Sequence, residues 1–222
     1  MAFPHFFNPL LFATETFFTT IAVVFCFIIY FKTREIYNLT RHEGVKYFRE
    51  SFLFFGLSYF LRFLLSMVFL SRMVFDLDLP RNIFVPLFIL PLGYFSTIGI
   101  FYLVSGSIWK GIKKRNLLLF GHGLAILLSI VSLITRSPFI LLIFQSLLLI
   151  LGAIISIIKH KKEKKVSKVR ILYLLVSFVW LLNLWIVDRP RRPLFFEGDI
   201  IAQIVSLAVF VAIYLKISKW VR

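Results

Sequence analysis

Arg62 has the chemistry hardest to accommodate in this sequence. It stands inside the apolar run Phe52 to Leu70, and a guanidinium keeps its charge at any accessible pH. Such a group needs acceptors. Glu15 is at a matching depth, in the Thr14-Glu15-Thr16 stretch of the first apolar run, with Thr19 and Thr20 one turn further along. The two runs are neighbours in the chain and therefore antiparallel, so Glu15 and Arg62 are expected to pair, because an unpaired buried charge costs several kcal/mol. If the helix rotation is wrong for that, the amide oxygens of Gln145, Asn183 and Gln203 are the remaining acceptors.

Further polar groups occur at similar depths: Tyr94, Ser96 and Thr97 in the third run, Gln145 in the fifth, Asn183 in the sixth and Gln203 in the seventh. Together they imply a polar cavity opening outward, and the expected ligand-binding set is Glu15, Arg62, Tyr94, Gln145, Asn183 and Gln203. Amides and hydroxyls at such positions also serve simply to bond helices to one another. No catalytic residues are expected, since neither Gly-x-Ser-x-Gly nor His-Glu-x-x-His nor a phosphate-cradling Gly loop occurs. His122, between Gly121 and Gly123, reads as a packed hydrogen-bonding residue in a region of close helix approach. His5, His42 and His160 fall outside the apolar runs and Cys26 is the single cysteine, so neither haem, metal nor any other cofactor is expected.

The elements that carry these residues follow from composition. Of 222 residues, 60% are hydrophobic and 16% charged, Phe alone occurs 28 times, and the mean hydropathy is +0.92. A soluble domain runs roughly 45–50% apolar and about 25% charged, so the main solvent of this surface is lipid. The fold class is all-α, a polytopic seven-transmembrane-helix bundle in one membrane domain over residues 1–222, with spans at about 10–31, 51–71, 83–109, 116–135, 138–158, 170–187 and 199–217. Asn82, Asn116 and Asp199 are expected to cap the third, fourth and seventh helices, and Ser137-Pro138 to open the fifth after a tight hairpin. Trp109, Trp185, Trp220, Tyr30 and Tyr214 fall near span ends, where amphipathic rings sit among headgroups.

The net charge of +16 does not point to nucleic acid, because Lys and Arg lie between the apolar runs. They crowd the connections after the first, third and fifth spans, as in Lys110 to Arg115 and Lys159 to Arg170, and recur at the C-terminal end. By the positive-inside rule the N-terminus is outside, the C-terminus inside, and the inner loops meet anionic headgroups of the cell membrane. Met1 to Pro9 lacks the positive region of a secretory signal, so the first run is expected to remain as a span. Thr40-x-x-Glu43 has capping-box spacing, which predicts a second helix starting near Arg41 and carrying Tyr47, Phe48 and Phe52 along the inner surface. The outer connection Asp188 to Gly198 holds Pro190, Pro193 and an apolar Leu194-Phe195-Phe196 patch, suited to an interfacial anchor or a lid.

Tyr30 to Tyr37, Leu39 to Gly44, Tyr47 to Arg49, Phe52 to Gly56 and Tyr59 to Phe63 form a stretch that resembles uncharacterised multi-span proteins of archaea. It is also similar to the seven-helix input modules of some prokaryotic signalling proteins. That resemblance implies a membrane sensor or receptor-like module working with a separate signalling partner. The alternative is a small transporter or lipid-handling protein, in which Pro86 and Pro91 break the third helix. A further alternative is a structural subunit of a membrane complex.

Overall fold

A computed structural model describes residues 9–75, 81–108, 114–135, 139–161, 168–187 and 196–221. They form seven helices: α1 (Pro9–Thr40), α2 (Glu43–Phe75), α3 (Arg81–Ile108), α4 (Lys114–Ile134), α5 (Phe139–Lys161), α6 (Lys168–Val187) and α7 (Phe196–Val221). No strand occurs among the described residues. In hydrocarbon every backbone N–H must bond within its own segment, which makes a helix of each apolar run. Over their described residues all but α6 are long and apolar enough to cross a membrane. The chain is an integral membrane protein, and the expected Ser137-Pro138 hairpin and Leu194-Phe195 patch lie outside the described residues.

The helices close into a ring. α1 packs against α2 and α7, α2 against α3, α3 against α5, α5 against α6, and α6 against α7. α4 stands beside this ring, touching α3 and α5, while Leu119, Phe120, Leu127 and Ile134 remain exposed. Aromatic rings meet at the centre: Phe55 of α2 stacks on Trp180 of α6 with centroids 4.1 Å apart, and Tyr59 meets Trp180, Phe18 and Phe210 edge-on. Glycine brings α3 and α2 together at Gly99, where a Cβ would come within 2.6 Å of the Phe55 ring.

The α1–α2 connection departs from its expected form. α1 continues past its apolar run to Thr40, helped by hydroxyls that donate back to their own helix, Thr33 to the Ile29 carbonyl at 2.6 Å and Thr40 to that of Ile36 at 2.8 Å. Arg41 ends it in the left-handed region, φ 51°, with its N–H donating to the Tyr37 carbonyl at 2.8 Å. The predicted Thr40–Glu43 capping box does not start α2. His42 does so: its carbonyl accepts from Val45 N–H at 3.0 Å, and its Nδ1 accepts from Gly44 N–H at 3.1 Å. Tyr47, Phe48 and Phe52 are buried rather than laid along a surface, because α1 and α3 flank this part of α2.

Arg41 yields a direct prediction. A non-glycine residue in the left-handed region costs about 1 kcal/mol or more, and Arg41 is exposed. Arg41→Gly is therefore expected to leave the melting temperature unchanged or raise it, while Arg41→Val, β-branched at the same φ, lowers it by several degrees.

Other expected boundaries move by small amounts. Asn82, Asn116 and Asp199 stand inside the first turns of α3, α4 and α7 instead of preceding them. α3 runs unbroken through Pro86 and Pro91, so the expected broken helix is absent there.

Candidate functional site

Arg62 and Glu15 are brought together. Arg62 donates to Glu15 Oε1 from Nε at 3.1 Å and from Nη2 at 2.8 Å, with side-chain exposures of 16% and 32%. Both donors converge on one oxygen, so this is not the two-oxygen fork that best satisfies a guanidinium. No other hydrogen bond among the described residues engages either group, which leaves Oε2 of Glu15 and the second amino group of Arg62 uncommitted. On the polar side of α1, Thr19 donates to the carbonyls of Glu15 and Thr16 and Thr20 to that of Thr16.

Tyr94, Gln145 and Asn183 find partners outside the set. Tyr94 Oη lies 2.8 Å from His122 Nδ1, joining α3 to α4, and the two rings stack. Gln145 is buried and donates from Nε2 to Ser96 Oγ and Thr97 Oγ1, each at 2.8 Å, joining α5 to α3. Asn183 donates from Nδ2 to the Val179 carbonyl at 2.7 Å and to Ser206 Oγ at 3.5 Å, reaching from α6 to α7. Gln203 is buried on α7 and is hydrogen-bonded to none of them. Each set links two helices, and no hydrogen bond among the described residues joins one set to the next.

Two features of the site go unnoticed in the sequence. Arg49 is held between the rings of Tyr30 and Tyr37, 5.5 and 5.2 Å from their centroids, and pairs with Glu50. This braces α2 against α1 at the level where both leave their apolar runs, each contact contributing ~0.5–2 kcal/mol. Its signal is the seven-residue spacing of the two tyrosines, which places them on one face of α1. The second feature is the aromatic core. Tyr59 stands one turn before Arg62 and Trp180 one turn before Asn183, both buried.

No family model matches the chain, and no solved structure matches it. An uncharacterised protein of the archaeon Archaeoglobus fulgidus is 31% identical over 206 residues, covering 90% of each chain. The similarity thus reaches far beyond the Tyr30–Phe63 stretch. The chain belongs to the family of that archaeal protein.

Proposed function

We propose that the protein is a receptor-like sensor of the cell membrane. In this reading a ligand engages the Glu15–Arg62 pair, with Tyr94, Gln145, Asn183 and Gln203 lining its surroundings, and the helices carry the change to the opposite end. The observation that supports it best is the pair itself, incompletely satisfied and set on two unbroken helices. From Arg62 to the start of α2 at Glu43 is about 28 Å of continuous helix. A shift at the pair is therefore delivered to the α1–α2 turn, where Lys32, Arg34, Arg41 and Lys46 suit anionic headgroups or a signalling partner. The transport reading loses a support, because α3 is not broken at its prolines.

Two experiments test this reading. A metabolite screen by thermal shift, with pull-down from native membranes, should yield a stabilising ligand and a signalling partner; recovery of neither counts against sensing. Substrate-dependent uptake in proteoliposomes that is lost in Arg62→Ala would replace it with transport. The orientation that accompanies the proposal is N-terminus outside. A reporter fused after Arg222 and tags at residues 113 and 163 are each expected to read as cytoplasmic, and a tag at 163 that reads outside overturns it.

A further inference from the structure

Among the buried side-chain atoms that lack partners, three belong to adjoining side chains of α2 and α6. Tyr59 Oη, Trp180 Nε1 and Asn183 Oδ1 are all inaccessible and make no hydrogen bond. Tyr59 is 3% exposed, Trp180 5% and Asn183 4%. They are neighbours: the Tyr59 and Trp180 rings lie 5.5 Å apart edge-on, and Trp180 and Asn183 share one face of α6 three residues apart. The orientation of the Asn183 amide is set by its Nδ2, which donates to the Val179 carbonyl, so the orphaned atom is the oxygen. Buried polar groups in folded proteins are nearly always satisfied, and each one left bare costs about 1–3 kcal/mol. Three bare groups on adjoining side chains from two helices can therefore be satisfied together by one small polar group.

The chemistry of that partner is restricted. The indole N–H of Trp180 is an unmet donor, Asn183 Oδ1 an unmet acceptor, and the Tyr59 phenol both a donor and an acceptor. A bare carbonyl would satisfy both donors but leave Asn183 Oδ1 unmet. An ammonium would serve Asn183 and the Tyr59 oxygen but leave the Trp180 N–H unmet. An anion would enter uncompensated, because the neighbouring charges, Arg62 one turn from Tyr59 and its partner Glu15, already neutralise each other. A hydroxyl oxygen accepts two hydrogen bonds and donates one. Around it stand Phe18, Phe55 and Phe210, whose apolar rings suit a neutral guest.

We propose that Tyr59, Trp180 and Asn183 form a binding site between α2 and α6 for the hydroxyl group of a neutral guest, which is water or the head of a membrane-soluble alcohol. The site stands independently of the sensing role proposed above. Its test uses the full chain in detergent and the isosteric variant Tyr59→Phe. With a guest in place, that substitution removes a satisfied hydrogen bond and the melting temperature falls by a few degrees. In a dry site it removes a bare hydroxyl, and a melting temperature unchanged or raised overturns the proposal.

The source of the hydroxyl is read from Trp180 fluorescence in a chain whose Trp109, Trp185 and Trp220 are replaced by Phe, titrated with 1-octanol and, separately, with n-octane. A saturable emission shift with 1-octanol alone, abolished when Tyr59→Phe is added, assigns the site to an alcohol head. No such shift, together with the lowered melting temperature of Tyr59→Phe, assigns it to water.

Discussion

Glu15→Ala is expected to destabilise the bundle by about 3–5 kcal/mol, as when one partner of a buried ion pair is removed. Arg62 is left charged, and Glu15 Oε1 is the acceptor of both its hydrogen bonds among the described residues. In the natural chain Gln145 donates to Ser96 and Thr97 and Asn183 to the Val179 carbonyl, and neither meets Arg62. The exposed fractions of the two side chains do not lessen this cost as they would in water, because the surroundings of a mid-span residue are hydrocarbon. Unfolding free energies in mixed micelles check the value. Glu15→Gln combined with Arg62→Met should recover part of the loss, since neither charge then remains to be buried. A Glu15→Ala protein within about 1 kcal/mol of the natural one would mean that Arg62 finds water or headgroups instead, by snorkelling.

Gly121→Leu is the substitution expected to have the next largest effect, a loss of about 2–3 kcal/mol through overpacking. A Cβ at Gly121 would run into the Phe101 ring of α3. That ring cannot swing away freely, because Phe101 is buried among Ile98, Leu117 and Ala125 and lies against Phe120. α4 would have to move off α3 and would carry His122 away from Tyr94. Gly123 provides the internal comparison two residues on, with nothing within 4 Å of its Cβ position. Gly123→Ala should be neutral or stabilising by up to ~1 kcal/mol, because alanine is the better helix former. Melting temperatures of the two variants, compared in one detergent, decide the matter; equal effects would show that α4 does not approach α3 closely at Gly121.

What was legible in the sequence and what was not divides along physical lines. Apolar run length predicts where helices cross, because hydrocarbon imposes it. The depth of a charge in its run was likewise enough to pair Arg62 with Glu15, since two consecutive helices leave few alternatives. Rotation about a helix axis is not encoded in run length. It decides that Tyr94 meets His122 and that Gln145 meets Ser96. The extension of α1 to Thr40 was hidden because charged residues following an apolar run read as a loop, although Lys32 and Glu35 form an i,i+3 pair on the helix. The left-handed Arg41 gave no signal, since glycine normally marks that conformation. Tyr59 and Trp180 escaped notice because an aromatic ring in mid-span looks like any other apolar residue until its polar atom proves to lack a partner.

The central claim is that the Glu15–Arg62 pair controls the position of the distant α1–α2 turn. Electron–electron distance measurement between spin labels at Leu39 and Leu215, both exposed and each near the C-terminal end of its helix, tests it most directly. Buried Cys26 is replaced by alanine so that only the introduced thiols react. The account predicts a single narrow distance distribution in the otherwise natural chain, displaced or broadened in Glu15→Gln because α1 and α2 are no longer tied. Identical distributions in the two proteins, with both folded, would contradict it.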